Sequence, residues 1–447
     1  MDDLATTDAA GTRTRPKRLP LNRNRDFSIF WAGQAFSVIG DAFVLVAVPL
    51  LVLEATGSVA MMGLVTAATG LGGLLSGVFT GAIVDRVDRR RLMIWCDIGR
   101  FALYGALPFA WRMFGPHVAL IYGITIAGAA LAMLFGVAYI TAVPNLVERD
   151  QLTAANGRLH ATFAAGFVLG PMLAGLVSGW YGADVAVGLN GLTFAASAIS
   201  LSRIQLRRAS PVRTGGGAAG AGGGPARPRG RWAIFDGLVV GMRFLFGDPL
   251  FRALTILLGT MAFLTLGVLD LFIFHLKENL GQSDRAVGIV FGIASLGSMA
   301  SGVLATLLRR RLGFGTRVIG GSLLQGLSMA AIGIAPTVWL IAVFAVVYTF
   351  CESVRGIATM SMRQEVTPDH LLGRVTAAFW IMFSVPGPIG AAIITFGAEW
   401  AGVRVALVAA AAVAVGASAF ALRGPAAVAR PEAAVTERLA RIHGDPA

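Results

Sequence analysis

The sequence predicts an all-α membrane protein with about twelve transmembrane helices in two pseudo-symmetric six-helix bundles. Three observations lead there. The chain is 56% hydrophobic and 14% charged, with a mean hydropathy of +0.72. It therefore has too little polar surface to coat a water-soluble body of 447 residues. Apolar runs of about 20 residues, the length a bilayer core demands of a helix, recur along nearly the whole chain. A basic, Gly/Ala-rich segment divides those runs into two equal sets.

Taken in order, residues 1–26 are polar and basic and are expected to form a cytoplasmic tail. Spans are expected at 27–53, 59–83, 92–111, 117–142, 153–179 and 183–202, making a first bundle over 27–202. Residues 203–249 follow as a cytoplasmic linker. Its first part, RIQLRRASPVRTGGGAAGAGGGPARPRGR, has the composition of a flexible chain with basic flanks. Its second part, WAIFDGLVVGMRFLFGDP, reads as an amphipathic helix on the membrane surface. A second bundle over 250–422 holds spans at 250–275, 286–308, 316–335, 337–361, 372–396 and 402–422, and 423–447 forms a second cytoplasmic tail. The runs do not alternate in polarity, so they are not barrel strands. The halves echo each other. LGGLLSGVFTG (71–81) matches LGSMASGVLAT (296–306) in the second and eighth spans, and GRLHATF (157–163) matches GRVTAAF (373–379) in the fifth and eleventh. Such repeats place a substrate site near the midplane, between the halves.

The net charge of +13 reports topology rather than nucleic-acid binding. Basic residues crowd the N-terminal tail (Arg13, Arg15, Lys17, Arg18, Arg23, Arg25), then 86–91, 203–231, and Arg309, Arg310, Arg311 and Arg317. The alternate loops carry only Arg112, Lys277, Arg285 and Arg404. Basic loops stay in the cytoplasm, so the chain is expected to cross the inner (plasma) membrane many times with both termini cytoplasmic. No cleavable signal peptide is evident. Cys96 and Cys351 both fall in spans and read as packing residues.

The loop after the second span reads GAIVDRVDRRR, Gly81 to Arg91. Its pattern G-x-x-x-D-R-x-x-R-R, filled by Gly81, Asp85, Arg86, Arg89 and Arg90, resembles the loop signature of the major facilitator superfamily of transporters, and it occupies that family's loop on the cytoplasmic side. The resemblance implies two bundles rocking about a central site. It also implies a gating loop that pairs with a helix end of the other half in one state and lets go in the next. Gly73, Gly77 and Gly81 share one face of the span before it, suited to close helix approach. In the fifth span, GFVLGPMLAG resembles the antiporter motif G-x-x-x-G-P-x-x-G-G of drug–proton exporters at Gly166, Gly170, Pro171 and Gly175, with Ala174 replacing one glycine. This stripe is expected to pack against a helix of the other half. NRDFSIFWAGQAFSVIGDAF, VPNLVERDQLTAANG (143–157) and MRQEVTPDHLLGRV (362–375) look like the branch of siderophore exporters and macrolide-efflux proteins. The fourth span lacks the basic motif of many drug antiporters: after His117 it has no ionisable residue until Glu148.

Ionisable groups at membrane depth are costly and mark function. Asp41 lies midway along the first span, on one stripe with Gln34 and Ser37. A poorly hydrated carboxylate there can take up and release protons. In the tenth span Tyr348, Glu352, Arg355 and Thr359 share a face, and Glu352 and Arg355 are spaced to pair with each other. Asp41, Gln34, Glu352 and Arg355 are the expected proton-coupling and substrate residues. Asp97 and Arg100 are expected to brace the gating loop, and Asp270 and His275 to line a solvated outer vestibule. The only lysines, Lys17 and Lys277, do not follow a glycine as a phosphate-binding loop requires, and neither H-E-x-x-H nor G-x-S-x-G occurs. No cofactor, metal site or enzymatic activity is expected.

The expectation is a secondary transporter that exports a small drug-like compound or metabolite by proton antiport, working as a monomer. A siderophore exporter, a nutrient importer or uniporter, and a polytopic membrane enzyme or scramblase are the alternatives.

Overall fold

The computed structural model describes residues 21, 24–84, 86–148, 151–205, 233–367 and 369–424. The tails, most of the Gly-rich linker and Asp85 lie outside the described residues. Within them the chain is helical, without strands. Six helices form the first half: α1 (Arg25–Thr56), α2 (Val59–Val84), α3 (Arg89–Phe114), α4 (Val118–Ala142), α5 (Leu152–Tyr181) and α6 (Ala183–Arg203). α7 (Ala233–Gly247) is a helix in the second part of the linker. The second half comprises α8 (Pro249–Phe274), α9 (Asp284–Arg311), α10 (Gly321–Ile334), α11 (Val338–Val366), α12 (Asp369–Ser384), α13 (Pro386–Ala401) and α14 (Val403–Leu422).

Chain chemistry sets the breaks. Gly57 stops α1 in the left-handed region at φ 65°, where its N–H caps the Leu53 carbonyl. Asp88 caps α3 by accepting from the Arg91 N–H at 2.9 Å. Pro386 cannot donate within a helix, so the expected span 372–396 divides into α12 and α13. Eleven helices among the described residues are long and apolar enough to cross a membrane. Of the twelve expected spans, the one at α3 falls short, because its apolar stretch carries Asp97 and Arg100 near its centre.

The molecule has a basic end, where Arg86–Arg91, Arg203 and Arg309–Arg311 lie, and a bare end opposite. The halves meet chiefly along two helix pairs, α2 with α13 and α5 with α9, with smaller contacts of α8 against α1 and α2. Both contacts are tightest toward the bare end. A Cβ on Gly63 would strike the Thr395 side chain, and one on Gly70 would strike Pro388. Gly175 meets the Gly288 backbone directly, and a Cβ on Gly179 would lie 2.7 Å from the Arg285 backbone nitrogen. Glu399 of α13 accepts from the Ser58 hydroxyl and the Ala60 N–H, each at 3.1 Å. It thereby caps the N-terminus of a helix in the other half.

Toward the basic end the same faces part. The α9 face that packs at Gly288, Gly292 and Ser295 continues through Met299, Gly302 and Val303, all exposed, and nothing lies within 4 Å of a Cβ built on Gly302. On α5 the stripe of Val168 and Gly175 continues back through Ala164, Ala161 and Gly157, which are exposed as well. The two halves therefore enclose a cleft that is shut at the bare end and open at the basic end.

This geometry gives a direct prediction. Gly175→Val overpacks the α5–α9 contact at a cost of about 1–3 kcal/mol and opens the bare end. A cysteine at Ser295, buried beneath α5 in the wild type, is then labelled by a membrane-impermeant maleimide about tenfold faster or more.

Candidate functional site

The charges that α3 carries into the bundle define the site. Arg100 is 1% exposed and sits among α1, α3, α4 and α6. Its Nη1 donates to Asp41 Oδ1 at 2.8 Å. Its Nη2 donates to Ser37 Oγ at 3.2 Å and to Asp97 Oδ1 at 3.3 Å. The guanidinium lies over the Phe194 ring, 3.8 Å from the centroid, with Phe135 at 5.3 Å. A planar fork suits this position, because it serves acids on two helices while its faces rest on aromatic rings. Asp97 is wholly buried, whereas 43% of the Asp41 side chain is open although protein surrounds it. Asp41 is thus the accessible member of a cluster whose other charges are sealed.

Close helix contacts hold that arrangement. Gly33 and Gly40 of α1 receive Ser200 and Thr193 of α6, and Gly166 and Gly170 of α5 receive Val38 and Ala42 of α1. Two expectations change here. Asp97 and Arg100 do not brace the gating loop; they lie inside the bundle and tie down Asp41. The glycine stripe of α5 also serves two contacts, since Gly166 and Gly170 pack within their own half and Gly175 alone of the motif's glycines reaches the other. Pro171 continues within α5 without ending it. Gln34 shares the Asp41 face but is 2% exposed, so it packs rather than lining open space.

In the second half, Arg355 of α11 is also buried, and its Nη1 donates to Gln325 Oε1 of α10. Glu352 and Tyr348 lie beside it, with Tyr348 edge-on to Phe272 of α8 at 5.5 Å between centroids. The i,i+3 spacing anticipates a Glu352–Arg355 ion pair. Instead the guanidinium reaches across to Gln325, and no ion pair within 4 Å joins the two among the described residues. Asp270 and His275 do not line a solvated vestibule; they are 1% and 0% exposed. His275 Nδ1 bonds with the Asn279 side chain at 2.8 Å.

At the basic end, Gly81 lies in the last turn of α2 and Arg86 is exposed beyond it. Arg89 donates to the Thr141 carbonyl at 2.9 Å, and Arg90 donates to the carbonyls of Leu201 at 2.7 Å and of Ser202. These contacts close the C-terminal ends of α4 and α6 within the same half. In the second half Arg309 pairs with Glu365 at 2.6 Å, tying α9 to α11.

Two helix bundles, the first holding a buried charge cluster, that face each other across a cleft closed at one end form the architecture of a transporter. The chain belongs to the Major Facilitator Superfamily, whose model matches residues 30–391. The multidrug efflux pump Tap of Mycobacterium tuberculosis is 28% identical over 381 residues, covering 83% of this chain and 86% of that protein. The enterobactin exporter EntS of Escherichia coli is 26% identical over 382 residues, covering 82% and 84%. Among solved structures, the nucleoside transporter NupG superposes with a TM-score of 0.70 at 12% identity, over 89% of this chain and 98% of that one. This last likeness is one of fold.

Removing the hub of the cluster leaves Asp97 buried without a cation. Arg100→Ala is expected to destabilise the first half by about 3–5 kcal/mol, and Arg100→Lys to recover only part of that, because an ammonium cannot reproduce the fork. Thermal unfolding of the detergent-purified variants measures both.

Proposed function

We propose that this chain exports a small organic molecule from the cytoplasm by alternating access, in exchange for protons moving inward. The observation that carries the reading is Asp41: an open carboxylate at membrane depth, held by the sealed pair Arg100 and Asp97. The bond from Arg100 favours the ionised carboxylate. When a proton takes it, the guanidinium keeps Asp97 as its partner, so the cluster holds two charge states without leaving Arg100 alone. Cargo and proton compete for the same open acid, and each state of the acid goes with one orientation of the halves.

Basic loops stay in the cytoplasm, so the basic end is assigned to that side and the cleft faces inward. On this reading the gating loop is in its released state. Arg89 and Arg90 are engaged by carbonyls of their own half, and closing the cytoplasmic side would give the loop a partner in the other half. The field favours the exchange, since an entering proton gains about 2.3 kcal/mol per 100 mV. Similarity to Tap and EntS, an efflux pump and an exporter, supports export over uptake. The likeness to an enterobactin exporter keeps a siderophore cargo as the second reading. Arg355 speaks against it as an anion holder, because it is buried and already bonded to Gln325. The chain is proposed to act as a monomer in the inner membrane.

Dye and antibiotic efflux from a bacterial strain lacking its own exporters tests this. Wild-type efflux is expected to stop on addition of a protonophore. Asp41→Asn is expected to lower proton-driven efflux at least about tenfold, while downhill exchange of cargo persists. Wild-type efflux that ignores the protonophore rejects antiport, and full proton-driven efflux by Asp41→Asn rejects the assignment of Asp41.

A further inference from the structure

Asp270 stands one turn before the end of α8, where the two halves close against each other. It is 1% exposed, and no ion pair within 4 Å reaches it among the described residues. The Thr66 hydroxyl of α2, in the other half, faces its carboxylate, while Oδ2 has no hydrogen-bond partner. The surrounding elements bring it no cation. From α4 the neighbour is Tyr122, whose hydroxyl donates to the Met61 carbonyl at 2.8 Å. α13 carries one ionisable group, Glu399, which is occupied by Ser58 and Ala60. Glu54 of α1 faces Asp284 and Lys277, and Lys277 pairs with Asp284. The one ionisable group on α14, Arg404, acts on His275.

A carboxylate sealed in this way is costly to ionise, because it is removed from solvent and no counter-ion among the described residues pairs with it. What seals it is the other half of the molecule. Thr66 sits on the α2 face between Gly63 and Gly70, the two glycines that admit Thr395 and Pro388 of α13. If the halves part at this end, Thr66 leaves with α2, and Asp270 meets water and ionises.

We infer that Asp270 is a second titrating acid of the transport cycle, a gating acid that takes a proton from the outer side as the outer gate closes and returns it to that side when the gate reopens. The inference rests on the proton-antiport reading and adds to it the residue that makes gate closure depend on a proton. Asp41 exchanges its proton against cargo at mid-depth; Asp270 ties the outer gate to external pH. The step is a protonation alone: the carboxylate takes one proton as its surroundings lose water, and returns it on reopening.

Spin labels test this at Met113, at the end of α3, and Trp339, at the start of α11. Both are exposed at the outer end, one in each half (77% and 71%). Cys96 and Cys351 are replaced by serine, and distances are read by pulsed electron resonance at about pH 6 and about pH 8.5. The wild type is expected to be short at the lower pH and to gain a long-distance population at the higher. Asp270→Asn, uncharged and of equal size, is expected to stay short at both; Asp270→Ser serves if the Asn variant does not fold. A variant that keeps the wild-type shift, or a wild type without one, overturns the inference. Proton release on adding cargo to the same samples separates the two readings. Release without the Asp270-dependent shift leaves antiport standing and removes Asp270 from it, and no release from the wild type removes antiport itself.

Discussion

A charge inside a bilayer has no water to hold it, and the organisation of this protein follows from where its buried charges find partners. Arg100 is the clearest case. It loads α3 with so much polarity that α3 alone among the twelve expected spans lacks the apolar run of a transmembrane helix. The burial is tolerated because both terminal nitrogens of the guanidinium are partnered and an aromatic ring covers one of its faces. Acids on α1 and α3 take the fork, Ser37 adds an acceptor, and Phe194 covers a face. Fixing one side chain against four helices fixes those helices against each other. It also leaves one acid, Asp41, both anchored and reachable.

The contacts between the halves follow a different logic. Lipid gives little reward for burying one apolar helix against another, so close approach at small residues and polar closure at helix ends must hold the gate. At the bare end, glycines admit the opposing helix at Gly63, Gly70, Gly175 and Gly288, and Glu399 completes the start of α2 from across the interface. None of these contacts requires a large apolar surface to come apart. At the basic end the arginines of the loop signature satisfy helix ends of their own half. The same donors could serve a helix end of the other half, which is the property a two-state gate needs.

Much of this was legible in the sequence. The bilayer fixes helix length, so hydropathy located the helices, and arginine asymmetry separated the basic loops from the bare ones. The loop signature and the glycine stripe of α5 pointed to the family through residues whose chemistry the fold uses. The partners of the charges were not legible, because a single sequence gives each helix's own periodicity but not its rotation relative to a neighbour. Asp97 and Arg100 sit near a basic loop in sequence, yet they turn inward to Asp41. Glu352 and Arg355 have the spacing of a pair on one helix, yet the guanidinium finds Gln325 on α10. Asp270 and His275 lie near the end of a span, where water was the natural expectation, and the closed gate covers both. A polar residue inside a span whose length is already spent was the available signal for Arg100.

The central claim is that cargo and proton exclude each other at an acid held between Arg100 and the open interior. The most direct measurement is proton release from the purified protein in weakly buffered detergent as a transported compound is titrated in. The account predicts about one proton released per molecule bound, with binding weakened as the pH is lowered. Saturable binding that releases no proton and is indifferent to pH would contradict it.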